Sequence, residues 1–344
     1  MVYEDMLLSY RFASLCVVLA AAGAISCHGN GATPPDETDG SDTDTSVAAD
    51  SELGDSNPGD SEPTDSQISD SDTGESDEPV FTGLWIIDTH AHILPTDADL
   101  NDAYIDDLMA AVQDAGVAHI ALGLHARHIP DRPPTFSEQH DDWTLAAAEE
   151  YPDLILPMLA GFDPEDEASV DYVSTELATG HWRAIGELDL RNTPKQTTTP
   201  MNHPVMMEIY ALAAVYDVPV MFHFEPCYGT DCVSGAAELD EAVTENPDTK
   251  FINAHSCPPN LMGNYPNLYC EFEVSNGNLP QSNIFDFIVL GTDIQNAQLN
   301  TPIGNMVDIP YGEVVDLIRE KLADLDEADA QKLGTGNAEV LFGL

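Results

Sequence analysis

The sequence predicts a (β/α)8 barrel over residues 81–344, preceded by a signal peptide and a disordered acidic linker. Three observations carry this reading. Short apolar, β-branched runs alternate with amphipathic helical stretches, the pattern of a parallel α/β protein. Eight such runs fit into roughly the ~250 residues that one barrel occupies. Histidines and acids recur at the ends of those runs, and in a parallel barrel such positions open onto a single face.

Residues 6–26 hold one basic residue, Arg11, followed by an apolar stretch that ends in small residues, as in a secretory signal. The stretch is too short and too Ala-rich for a membrane span of about 20 apolar residues. It ends Ala24-Ile25-Ser26-Cys27, which resembles a bacterial lipobox. That resemblance implies a lipidated Cys27 at the start of the mature chain. The protein is then expected to be exported and anchored to the cell envelope, meeting the membrane only through its lipid; an ordinary cleaved signal would leave it secreted or periplasmic.

Residues 28–80 carry 16 acids, no Lys or Arg and no aromatic residue. Such a segment cannot bury enough apolar surface to offset its ordering entropy, so it is expected to stay disordered. The organisation that follows is a signal peptide over 1–26, a lipidated Cys and acidic linker over 27–80, and one barrel over 81–344. Residues 81–344 still hold 44 Asp and Glu against nine Lys and Arg. A surface of this sign repels nucleic acid and anionic membrane, and favours small neutral or cationic substrates; a solubility demand would produce the same composition.

Four cysteines remain after Cys16 and Cys27 are set aside: Cys227, Cys232, Cys257 and Cys270. An even number in an exported domain points to disulfides. Proximity favours Cys227 with Cys232 and Cys257 with Cys270. A four-thiolate zinc site ranks lower, because no C-x-x-C pair is present.

The strands are expected at 84–88, 117–124, 154–160, 183–188, 218–224, 250–254, 268–274 and 287–291. Helices are expected at 101–115, 137–150, 165–179, 203–216, 236–246 and 312–325. The segments after the sixth and seventh strands are turn-rich and give little sign of a helix. Against this frame His90 and His92 follow the first strand, Glu187 ends the fourth, His223 ends the fifth, His255 follows the sixth and Asp293 follows the eighth. In Asp88-Thr89-His90-Ala91-His92 the two imidazoles stand two residues apart on an extended segment and project to one side. Alone this H-x-H is a weak signal, and each strand-end His is more often a satisfied core residue. Convergence on five strands is what makes a metal site the better reading.

Ile87-Asp88-Thr89-His90-Ala91-His92, Ala184-Ile185-Gly186-Glu187, Pro219-Val220-Met221-Phe222-His223, Asn253-Ala254-His255, Leu290-Gly291-Thr292-Asp293 and Gly336-Asn337-Ala338-Glu339-Val340-Leu341-Phe342 together resemble the amidohydrolase superfamily. The last pieces look most like its amidohydrolase-related branch, which includes lactonases and decarboxylases; the Glu187 segment looks like the TatD nuclease group. TatD members carry His-Ser-Arg where this chain has His223-Phe224-Glu225, and a carboxylate in place of a phosphate-binding Arg has the wrong sign for a nuclease.

The resemblance implies water activated by a divalent metal, attacking an ester, lactone, amide or phosphoester. His90, His92 and Asp293 would hold a first ion, with His223 and His255 on a second and Glu187 bridging. With a single ion, His223 joins the first set and His255 becomes a general base or electrophile. Asp293 is also placed to take the proton of the attacking water. Zinc suits the His-rich donors; manganese and nickel fit them too. His125, Arg127 and His128 follow the second strand and are candidates for lining the substrate pocket. His119 reads as structural, and His140, His181 and His203 receive no role. The alternatives are a metal-dependent non-oxidative decarboxylase, for which Arg127 would hold the substrate carboxylate, and a binding lipoprotein without catalysis.

Overall fold

The computed structural model describes residues 83–93, 102–124, 138–192, 197–225, 233–255, 261, 263–273, 277–294, 299–303 and 307–344. The signal, the linker, Cys27, His125, Arg127, His128, Cys227, Cys232 and Cys257 lie outside them. Phe81–Leu344 is one compact unit.

Its elements in chain order are β1 (Ile86–Ile93), α1 (Asp102–Asp114), β2 (Val117–Leu124), α2 (Glu138–Glu150), β3 (Ile155–Leu159), α3 (Ala168–Leu177), β4 (Ala184–Asn192), β5 (Thr197–Thr198), α4 (Pro204–Tyr216), β6 (Val220–Phe224), α5 (Val233–Glu245), β7 (Phe251–Asn253), β8 (Leu268–Phe272), β9 (Ile288–Leu290), β10 (Asn300–Ile303), β11 (Val307–Pro310), α6 (Tyr311–Leu322), α7 (Glu327–Gln331) and α8 (Asn337–Phe342). Eight strands pair in parallel in the order β1-β2-β3-β4-β6-β7-β8-β9. The ring is nearly closed by the segment after β9. Ala91 bridges Ile294, His92 N donates to Ile294 O at 3.0 Å, and Asp293 N donates to His90 O at 2.9 Å. This is the expected (β/α)8 barrel, and each expected strand overlaps a barrel strand.

The strands read as near-continuous apolar runs because both of their faces are buried. Along each, alternate side chains go to different layers. Ile86, Ile120, Ile155, Ile185, Val220, Phe251 and Ile288 point outward under the helices. Their neighbours Ile87, Ala121, Leu156, Ala184, Met221, Ile252 and Val289 fill the barrel. Helix α6 seals the outer layer with Tyr311, Val314, Val315, Ile318 and Leu322 buried at helical spacing. Its Arg319 fastens two loops, with Nε donating to Leu84 O at 3.0 Å and Nη2 to Gly116 O at 3.0 Å.

The inner layer is finished from below by α8, whose Ala338, Leu341 and Phe342 join the same apolar cluster. Asn337 locks this helix in place, its Nδ2 donating to Phe285 O at 2.7 Å and Ile288 O at 2.6 Å. Lys250 Nζ reaches Leu341 O at 3.2 Å.

The structure departs from the expectations in several places. β1 continues to Ile93, so His90 and His92 lie within it rather than after it; β4 continues to Asn192, so Glu187 sits inside the strand. Both strands shift register there against a neighbour. Between β8 and β9 the described residues form only a 3-10 helix, Ser282–Phe287, in keeping with the turn-rich reading of that segment. The antiparallel β10–β11 hairpin was not foreseen.

Candidate metal centre

Six of the residues singled out above meet at the C-terminal end of the strands. The alternation that sends Phe222 and Phe224 outward turns His223 inward, and Ala91 outward leaves His90 and His92 inside. His90 Nε2 and His92 Nε2 stand 2.9 Å apart. Glu187 Oε2 lies 3.5 Å from the first and 3.3 Å from the second; Asp293 Oδ1 lies 3.8 Å and 3.2 Å from them. The other Glu187 oxygen, Oε1, is 2.8 Å from His255 Nε2 and 3.4 Å from His223 Nδ1. Glu187 thus faces two histidine pairs, one with each oxygen. Neither arginine near it in sequence takes it: Arg191 pairs with Glu238, and Arg183 lines a groove with Glu149 and His181 at the start of β3 and β4.

Two further carboxylates belong to this cluster and were missed. Glu271 Oε2 lies 2.8 Å from His90 Nδ1 and also accepts the backbone N–H of His255 at 3.1 Å. Glu273 is paired with His255 Nδ1. The signal was present: Cys270 and Phe272 are the outward residues of β8, so the two acids between and after them must face the barrel interior. Glu225, at the end of β6, lies 3.5 Å from His223 Nε2.

The backbone is shaped to allow these approaches. A Cβ on Gly291 would lie 1.8 Å from Glu271 Oε1 and 2.8 Å from His90 Cβ, so only glycine leaves room there. His255 and Asp293 both adopt left-handed backbone, at φ 62 and φ 50. Beneath them Asp88 ties β1 to the segment after β9: it accepts Thr292 N at 3.0 Å, Thr292 Oγ1 at 2.7 Å, Tyr311 Oη at 3.1 Å and His90 N at 3.2 Å. Burial pushes the Asp88 carboxyl up to about 6, although these four donors oppose it.

Charge dominates the centre. Burial works against a charged His90, but Glu271 and Glu187 outweigh it and hold the imidazole well above its ordinary range. His255 is raised in the same way, with burial opposed by Glu187 and Glu273. Burial would raise Asp293, yet His92, His90 and His255 keep it below the usual carboxylate range.

Such a donor set fits a divalent cation. Sets of three ligand atoms lying within 4.8 Å of one another are offered by His90, His92 and Asp293, by Glu187, His223 and His255, by His90, His255 and Glu271, and by His255, Glu273 and Asp293. His223 Nδ1 is buried and takes no hydrogen bond among the described residues. Imidazole nitrogens with carboxylate oxygens are the usual donors for zinc, manganese or iron.

The family model described as amidohydrolase matches residues 87–344. The chain belongs to the amidohydrolase family. Solved structures share the fold of this family member at low identity. An amidohydrolase II is 15% identical with a TM-score of 0.53, covering 75% of this chain and 100% of that one. The 4-oxalomesaconate hydratase of Rhodopseudomonas palustris is 13% identical with a TM-score of 0.53, covering 75% and 95%. The 5-carboxyvanillate decarboxylase of Sphingomonas paucimobilis is 12% identical with a TM-score of 0.51, covering 76% and 100%. A comparison with curated proteins gives no match.

The remaining described histidines stand apart from the centre. His119 lies in β2 and His140 in α2, and burial lowers both; His203 precedes α4. Cys270 is disulfide-bonded, to a cysteine outside the described residues.

Proposed function

We propose that this amidohydrolase-family protein is a metal-dependent hydrolase of small neutral or cationic substrates, working with two divalent ions. The observation that carries the proposal is the division of Glu187 between two histidine pairs, His90 with His92 and His223 with His255. His90, His92 and Asp293 would hold one ion, His223 and His255 the other, and Glu187 would bridge them. An ion bound there supplies Lewis acidity and lowers the pKa of a coordinated water to about 7. Charge balance favours two ions over one: once the imidazoles are neutral metal ligands, Glu187, Glu271, Glu273 and Asp293 leave four carboxylates, and buried charges need compensation. Asp293, whose side chain is slightly exposed, would accept the proton given up by the attacking water.

Hydrolysis is preferred over decarboxylation on charge: residues 81–344 hold 44 Asp and Glu against nine Lys and Arg, which disfavours an anionic carboxylate substrate. Among the described basic residues Arg191 pairs with Glu238, Lys250 with Asp217, Arg319 with backbone carbonyls and Lys332 with Asp286, while Arg127, the cation a decarboxylase would use, lies outside the described residues. Zinc is the preferred ion on donor chemistry. We place the protein at the cell envelope, held through Cys27, and the Cys270 disulfide supports an oxidising compartment.

The test is elemental analysis of protein purified without chelator, for wild type and Glu187→Gln, followed by ester, lactone, amide and phosphoester panels with CO2 detection in parallel. Two ions per wild-type chain, at least one lost in Glu187→Gln, and hydrolysis without CO2 are expected. One ion per chain that the variant retains would overturn the bridge; CO2 release would overturn the reaction.

A further inference from the structure

We infer that Glu271 and Glu273 are a matched pair of positioning residues that aim one histidine into each half of the metal centre. The inference rests on the two-ion reading above. Residues two apart on an extended strand face the same side, and the outward burial of Cys270 and Phe272 fixes that side as the barrel interior. Each glutamate then meets the Nδ1 of a different histidine: Glu271 that of His90 at 2.8 Å, Glu273 that of His255.

An ionised carboxylate only accepts hydrogen bonds, so each Nδ1 must carry the hydrogen. A metal that displaces the other ring proton would then meet the lone pair of Nε2. Both Nε2 atoms do point at the other ligands, His90 Nε2 toward His92 and Glu187 and His255 Nε2 toward Glu187 Oε1. A carboxylate behind a ligating histidine fixes ring orientation and raises the basicity of the opposite nitrogen.

The two glutamates are not equivalent. Glu271 is fully buried, and the oxygen that meets His90 also accepts the His255 backbone N–H at 3.1 Å. His255 is held there in left-handed backbone at φ 62, a conformation a non-glycine residue keeps only when its surroundings impose it. Glu271 therefore serves both halves, by ring on one side and by backbone on the other. Glu273 meets the His255 ring.

This asymmetry gives the experiment. Wild type, Glu271→Gln and Glu273→Gln are titrated with Zn2+ and followed by elemental analysis, melting temperature and the downfield ring N–H proton signals of histidine in the zinc-loaded protein. Wild type should take up two ions and show protected ring N–H signals for both His90 and His255. Glu273→Gln should weaken one zinc by about 10- to 100-fold, the range for such outer partners, and lose one signal. Glu271→Gln should weaken both ions. Glu273 is the less buried of the two, so its variant remains informative if Glu271→Gln fails to fold.

Wild-type zinc affinity with both signals kept in Glu273→Gln would overturn the inference while leaving the metal centre standing. Absence of protected ring N–H signals from zinc-loaded wild type would also overturn it, making the glutamates ligands themselves. A wild type that takes up no zinc would overturn the two-ion reading and this inference with it.

Discussion

Replacing Gly291 by alanine should disable the centre from behind. The added Cβ would lie 1.8 Å from Glu271 Oε1, 2.7 Å from Glu271 Cδ and 2.8 Å from His90 Cβ. Normal carbon–carbon contact begins near 3.5 Å, so the Glu271 carboxylate must move by more than an ångström. It has nowhere to go, being fully buried. Displacement breaks its bonds to His90 Nδ1 and His255 N. Overpacking costs about 1–3 kcal/mol and each bond to a charged group about 1.5–3 kcal/mol. The sum is on the order of 4–9 kcal/mol, which at roughly 2–4 °C per kcal/mol for a domain of this size lowers the melting temperature by about 10 °C or more.

Gly312→Ala is the control, because nothing lies within 4 Å of a Cβ at that position in α6. Helix propensity predicts no loss and a gain of up to about 1 kcal/mol. The assay is thermal unfolding of both variants with zinc content measured on the same samples. A Gly291→Ala protein that melts with wild type and keeps its zinc would refute the crowding argument.

Two further outcomes are expected. Asp141 accepts N–H groups of Ala160 and Gly161 and the Tyr172 hydroxyl, yet burial pushes its carboxyl up to about 6 from 3.8. A carboxyl raised in the folded state favours folding below its unfolded pKa and loses that contribution as pH rises through the folded value. Asp141→Asn should therefore gain on wild type by up to about 3 kcal/mol between pH 4 and pH 7; urea unfolding at both pH values measures this, and a constant difference would contradict it. Cys27→Ala should release the exported protein from the membrane fraction, which immunoblotting of fractions reads directly; wild type found freely soluble after export would defeat the lipid anchor.

The eight barrel strands were legible because burial on both faces writes an unbroken apolar run, as in Ile155–Leu159 and Val220–Phe224. The six candidate ligands were legible because the barrel topology brings strand ends that are distant in sequence to one face. Glu271 was not, since one acid in an apolar strand stands out only once the inward phase of that strand is fixed by its neighbours. The ends of β1 and β4 were misjudged for a related reason: polar ligand residues look like the end of a strand although the backbone ladder runs on through them. The β10–β11 hairpin contains Pro302 and Pro310, which argue against strand in any local reading.

The floor of the barrel has a consequence for how the molecule is made. Ala338, Leu341 and Phe342 complete a cluster whose other members come from strands synthesised much earlier. Chains leave the ribosome N-terminus first, and domains commonly fold as units. All eight strands therefore emerge before the piece that shuts their interior from water, and until α8 docks, Ile87, Met221, Ile252 and Val289 face an open base. A chain cut before residue 337 would carry every candidate ligand of the centre and still present apolar surface to proteases and to its own copies. Residues at one end of the cylinder thus decide whether chemistry at the other end ever has a stable place to occur.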